Sequence, residues 1–246
     1  MEKSTGATTA SFFLDLLFPR TCLRCDALIP TSIPDTYICE NCRASILPLT
    51  ASRCPFCHRA TILWQTCNDC RPTHSLDSLL VASDYGDMII KRMVKALKYR
   101  FVDIVADDIG TFMAGYLTER KDLLGFAKTS PVLCSIPLHP KRLRWRGFNQ
   151  AELIANKIAT ICDLPVRHDL LTRTEHKTAQ ADIKNRDERI QNAKDLFSLA
   201  VSPLNIKNII LIDDVATTGA TMNSAAKILK SAGAKHVFGF VFARGG

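Results

Sequence analysis

Nowhere does the sequence run apolar for the about 20 residues that cross a bilayer. The nearest approach, Ser11 to Phe18, is broken by Asp15 and followed by no small-residue cleavage site, so it reads as a poor secretory signal. A short amphipathic helix over Met1 to Arg20, packed on the adjoining domain, is expected instead, with no membrane insertion. Acid is missing from two stretches: none lies between Asp87 and Asp103, and none from Pro137 to Gln150. Cysteine nearly vanishes after residue 70, where only Cys134 and Cys162 remain of ten. Standing alone, those two are expected as small core residues rather than reactive thiols. The net charge of +8 follows the same division: through residue 76 seven Lys or Arg face six Asp or Glu, and beyond it 25 face 18. A basic second part suits an anionic ligand, whether a pyrophosphate or a nucleic-acid backbone.

What the first part has is thiols. Cys22-x-x-Cys25, Cys39-x-x-Cys42, Cys54-x-x-Cys57 and Cys67-x-x-Cys70 form four knuckles, each able to offer two thiolates to one ion. Four thiolates make a closed, tetrahedral structural zinc site, so the count predicts two zinc ions. Adjacent knuckles are expected to pair, though spacing also allows an interleaved arrangement. Complete thiolate sets leave His58 and His74 as surface residues and no open coordination position, so this domain should scaffold or bind. Eight metal-held thiols fit a reducing cytoplasm. Domains are therefore expected at 1–75, an N-terminal helix with a double zinc ribbon, and 76–246.

The second part alternates between buried strands and amphipathic helices. Strands are expected at Leu76 to Tyr85, Pro131 to Ile136, Pro165 to Leu171, Phe197 to Val201, Ile209 to Ile212 and His236 to Phe242, and helices at Met88 to Tyr99, Ile104 to Leu117, Asn149 to Ile161 and Met222 to Leu229. The first helix carries Lys91, Lys95 and Lys98 opposite its apolar face, either as a solvated surface or as a contact to nucleic acid or phosphate. Pro137 to Gln150 reads as a basic exit loop with His139, Lys141, Arg142, Arg144 and Arg146. Arg173 to Asn192, with Gln180, Lys184, Arg186 and Arg189, reads as a long polar loop.

One stretch organises the rest. The apolar, β-branched Ile209 to Ile212 runs into Asp213 and Asp214, then Val215, Ala216, Thr217, Thr218, Gly219, Ala220 and Thr221, then a helix. Strand, small-residue loop and helix start make a phosphate cradle: backbone N–H groups and threonine hydroxyls bind the anion, and the two acids accept from neighbouring sugar hydroxyls. This stretch resembles the phosphoribosyl pyrophosphate motif of type I phosphoribosyltransferases. The resemblance implies an α/β fold with a mostly parallel sheet flanked by helices, Asp213 and Asp214 on the ribose as the catalytic acids, and residues 215–221 on the 5′-phosphate. It also implies an earlier loop, here Pro137 to Arg146 with His139, Lys141, Arg142 and Arg146, on the pyrophosphate, and a mobile loop near 173–192 that closes over the reacting centre.

Taken in order, the zinc ribbon, Leu97-Lys98-Tyr99, Ile136 to Arg142, Arg146 to Ala151, Arg189 with Asn192, and the Asp213-Asp214 motif resemble the ComF family. That resemblance implies a cytoplasmic bacterial protein of DNA uptake and natural transformation that binds phosphoribosyl pyrophosphate with magnesium. Single-stranded DNA and uptake machinery are the implied partners, for which the chain's own basic residues Lys91, Lys95, Lys98 and Arg144 are the candidate contacts. Two departures argue against purine salvage. Thr217 stands where some purine enzymes carry an acid, and only a short tail follows the last strand, where a base-gripping hood would form. A base pocket is then expected from the zinc domain or from residues 76–100.

Overall fold

The computed structural model describes residues 19–30, 33, 36–99, 103–120, 130–173, 196–201 and 204–245. The helix expected before Arg20 and the loop holding Gln180, Lys184, Arg186 and Arg189 lie outside the described residues. A five-residue helix α1 (Glu40–Ala44) and a 3-10 turn (Arg71–Thr73) belong to the Cys-rich part. Then come β1 (Ser78–Asp84), α2 (Met88–Tyr99), α3 (Ile104–Thr118), β2 (Val132–Ser135), α4 (Pro140–Arg146), α5 (Gln150–Cys162), β3 (Leu171–Arg173), β4 (Phe197–Leu199), β5 (Asn208–Ala216), α6 (Ala220–Ser231) and β6 (His236–Arg244).

β1, β6, β5 and β2 lie side by side in that order, every pair parallel. Such a sheet is covered on both faces, which explains why its strands read as continuous apolar runs. In β5, Ile210 and Ile212 pack with α2, α3 and α5, while Ile209 and Leu211 pack with α6. The alternation that separates these pairs also sends Asp213 and Asp214 to opposite faces at the strand's carboxyl end.

Three segments depart from the sequence reading. The basic exit loop contains a helix, α4, whose start is fixed by His139 Nδ1 accepting from Lys141 N (3.2 Å) and by Pro140 at its first position. Gly147, at φ 82°, takes the left-handed conformation that ends it. Pro165 to Leu171 is not a continuous strand. Val166 makes one parallel bridge to Leu133, and the chain then turns so that β3 pairs antiparallel with β4, apart from the main sheet. Strand β5 runs on through both acids, held by β6 as far as Ala216 opposite Arg244.

The Cys-rich part shares the core of the sheet. Cys22, Ile29, Ile38, Cys42, Ile46 and Trp64 are buried in the same cluster as Met93, Leu97, Ile109 and Met113. Polar ties reinforce the contact: Asp108 on α3 is buried beneath Arg43 (2.6 Å) and Thr36 (2.9 Å), and Arg92 on α2 donates to the carbonyls of Leu23 (2.9 Å) and Arg24 (3.1 Å). Among the described residues no helix is long and apolar enough to cross a membrane.

Candidate functional site

The eight paired cysteines gather into two sets, Cys22, Cys25, Cys39 and Cys42, and Cys54, Cys57, Cys67 and Cys70, with the Sγ atoms of each set within 4.8 Å of one another. Adjacent knuckles therefore pair, and the interleaved arrangement is excluded. Cys25 and Cys39 Sγ are 3.7 Å apart, Cys57 and Cys67 Sγ 3.5 Å, close to the about 3.8 Å edge of a tetrahedron with zinc–sulfur bonds of about 2.3 Å. The thiol chemistry fits a cation as well. Burial, and hydrogen bonds that the protonated thiol donates to Cys39, Cys25 and Cys22, push Cys42 up to about 12, whereas Cys22, despite its burial, is brought down to about 6 by the N–H groups of Cys39, Cys25 and Arg24. Four clustered thiols cannot all ionise without a positive charge among them. These are two four-cysteine sites suited to two structural zinc ions.

The sheet's carboxyl edge carries the second group. Asp213 Oδ1 accepts from Asp214 N (2.8 Å), and Asp214 Oδ1 accepts from Val215 N (2.7 Å). Burial, and then the charge of Asp214, push the Asp213 carboxyl well above the usual carboxylate range, with Lys98 opposing. After Ala216 the chain turns through exposed Thr217 and Thr218 to Gly219, at φ 77°, which starts α6. Only glycine takes that angle without strain. The zinc ribbon backs the turn: Arg244 Nε donates to Thr217 O (3.1 Å), Arg244 Nη2 donates to Pro55 O, and a Cβ on Gly219 would sit 3.6 Å from the Phe56 ring.

Across the edge, α4 and the start of α5 supply base. Asn149 caps α5 by accepting from Ala151 N (3.1 Å) and donates to Ile136 O (3.1 Å), which fixes the exit of β2. Arg146 is only 7% exposed and donates through Nη1 to Gln150. Its burial lowers the guanidinium pKa, and the charge of Asp214 raises it.

These elements enclose one cleft of about 460 Å³, lined by Asp213, Asp214, Val215 and Thr221 on one side and by Arg142, Arg146, Asn149 and Gln150 on the other. That is the size of a small-molecule site, at the carboxyl ends of parallel strands where open α/β sheets bind ligands. Two of its lining residues each bury a polar atom that makes no hydrogen bond among the described residues, Arg146 at Nε and Asp214 at Oδ2. Lys98 Nζ lies 2.9 Å from Asp214 Oδ2 as an ion pair, but off the hydrogen-bond direction.

Residues 13–71 match the family model for a double zinc ribbon domain. Over 232 residues, 86% of this chain and 89% of the relative, the sequence is 32% identical to "Competence protein ComFC" of Bacillus subtilis. The chain belongs to the ComF family. A further ComF relative, "Competence protein F" of Haemophilus influenzae, is 34% identical over 112 residues, 45% of this chain and 48% of that one. "DNA utilization protein YhgH" of Escherichia coli K12 is 26% identical over 225 residues, 90% of this chain and 96% of that one.

In this ComF chain the expected site residues divide. Asp213, Asp214, Val215, Thr221, Arg142 and Arg146 share the cleft, whereas His139, Lys141, Ala216, Thr217, Thr218, Gly219 and Ala220 are not among its described lining. Lys91, Lys95 and Arg144 are exposed, but Lys98 is turned inward on Asp214. Tyr99, Gln150 and Arg173 also line the cleft; the first two lie in blocks that carry the family resemblance, whereas the sequence does not single out Arg173 as a site residue. For Arg173 the signal is a basic residue ending a strand, visible only once the register of β3 is known.

Proposed function

We propose that this ComF chain binds phosphoribosyl pyrophosphate in the cleft between the exits of β2 and β5, and acts in DNA uptake. The observation that carries the reading is the make-up of the cleft: Asp213 and Asp214 stand on one wall and Arg142 and Arg146 on the other, so acceptors for hydroxyls face donors for an anion. Asp213 and Asp214 then hold the ribose hydroxyls, the 215–221 turn, which enters the cleft through Val215 and Thr221, holds the 5′-phosphate, and Arg142 and Arg146 hold the pyrophosphate, with His139 and Lys141 beside them on α4 but outside the cleft's lining. The names of the relatives, competence and DNA utilization proteins, support the cellular role, and two four-cysteine sets suited to zinc rather than to disulfides support a cytoplasmic location.

Two carboxylates are too few for an all-protein magnesium cage. They suit an ion that takes most of its oxygens from the ligand and from water, and that ion would neutralise charge on the pyrophosphate. Any transfer is electrostatic on the protein's side. Arg142 and Arg146 stabilise the electron pair that leaves with pyrophosphate as its bond to the ribose C1 lengthens, and the acids hold the sugar still.

A second reading keeps the fold as a catalytically silent module for single-stranded DNA. It is favoured by Lys91 and Lys95, exposed one turn apart on α2, and by exposed Arg144 on α4. Such binding must weaken steeply with salt. Pyrophosphate release by the zinc-loaded protein with magnesium and phosphoribosyl pyrophosphate, with and without single-stranded DNA, separates the two. Release that stops in an Asp213→Asn, Asp214→Asn variant supports the first reading. No release, together with salt-sensitive DNA binding that ignores those substitutions, supports the second.

A further inference from the structure

A second cleft, of about 500 Å³, opens between the first cysteine knuckle and α2. Its floor and walls include Thr21, Leu23 and Asp26 of the knuckle and Arg92, Lys95 and Tyr99 of α2. The last three stand at i, i+3 and i+7, one face of a helix. Tyr99 also lines the cleft of Asp213 and Asp214, so this residue is common to both. Tyr99 is 64% exposed, an unusual placement for an aromatic residue close in sequence to buried Leu97. The cleft is held open by the protein itself, because Arg92 Nη1 bonds the carbonyls of Leu23 and Arg24 and so ties the knuckle to the helix.

We propose that this cleft binds a nucleotide unit, its base stacked on Tyr99 and its phosphate held by Lys95 and the outer nitrogens of Arg92. The flat aromatic face takes any base. Lys95 is exposed and makes no ion pair among the described residues. Asp26 supplies an acceptor for an exocyclic amino group, and Thr21 a hydroxyl. The knuckle thiolates do not repel the phosphate at full strength, because the Arg24 and Cys39 N–H groups point at Cys22 Sγ from 3.5 and 3.4 Å and zinc shares their charge. The position of the base against the sugar-phosphate cleft rests on the reading proposed above; the binding of the nucleotide does not. A free mononucleotide and one residue of a single strand carry the same chemistry.

The test uses the full-length zinc-loaded protein, thymidine monophosphate by calorimetry and a short fluorescein-labelled oligothymidylate by anisotropy. Zinc content and circular dichroism check each variant for folding. Tyr99→Ala and Lys95→Glu each weaken binding about tenfold, Tyr99→Phe retains it, and the Asp213→Asn, Asp214→Asn variant keeps it within about twofold. Binding of the mononucleotide identifies a free nucleotide as sufficient, and binding of the oligonucleotide alone identifies a strand; both support the site. Wild-type protein that binds neither probe, affinity indifferent to Tyr99 and Lys95, or affinity lost instead with the two acids overturns it. If phosphoribosyl pyrophosphate does not bind while nucleotide affinity still follows Tyr99 and Lys95, the sugar-phosphate reading fails and this one stands.

Discussion

Lys98 Nζ lies 2.9 Å from Asp214 Oδ2, in a pair whose carboxylate side chain is 3% exposed and whose lysine is 24% exposed. Removing one member of a buried pair strands the charge of the other, so Lys98→Met should destabilise the fold by about 2–4 kcal/mol. Removing both charges in Lys98→Met, Asp214→Asn should restore most of that. Urea titration of the four members of the cycle measures it, and a single variant as stable as wild type contradicts the pairing.

Asp213 carries the opposite signature. Its folded pKa is raised, by burial first and by Asp214 second, so its contribution to stability is fully present below the unfolded value near 3.9 and is lost as pH rises through the folded value. Asp213→Asn, which keeps an oxygen for the Asp214 N–H, should therefore match wild type near pH 4 and exceed it at pH 8 by about 1–2 kcal/mol. A gain that shrinks with rising pH would reverse the assignment. Stability surrendered at one position in this way is expected where a site must bind cations or hydroxyls.

Zinc removal should reach beyond the ribbon. Cys22 and Cys42 lie in the same buried cluster as Met93, Leu97 and Met113, so stripping the metal exposes the flank of α2 and α3. Two zinc ions per chain should appear on thiol modification in a colorimetric zinc assay, with loss of helical circular dichroism as they leave. A chain that keeps its helical signal without metal would show that the ribbon and sheet are held independently.

Gly239 in β6 has no room for a side chain: a Cβ there would come within 2.7 Å of Leu79 Cδ1 on the neighbouring strand. Gly239→Ala should cost about 1–3 kcal/mol by overpacking, read from the shift in thermal midpoint.

The elements legible in the sequence are those whose pattern is local. Ile209 to Ile212 and His236 to Phe242 announce buried parallel strands, and the four cysteine knuckles announce their metal sites, because burial on both faces and paired thiols leave periodic marks. Helix α4 is hidden by its charges, although His139, Pro140 and Gly147 are a cap, a first-turn proline and a left-handed stop. Strand β3 is misplaced by the sequence pattern because its partner, β4, is 24 residues away and its register depends on that pairing. In the sequence Lys98 is one of a row of surface lysines. That it turns onto Asp214, 116 positions on, is a fact of tertiary packing, as is the presence of Tyr99 in two clefts at once.

The most direct test of the account is calorimetric titration of phosphoribosyl pyrophosphate, with magnesium, into the wild-type protein and into an Asp213→Asn, Asp214→Asn variant that retains its two zinc ions. Saturable one-to-one binding by the wild type and at least a tenfold loss in the variant are expected. Equal affinity in the two proteins, or no binding by the wild type, would contradict it.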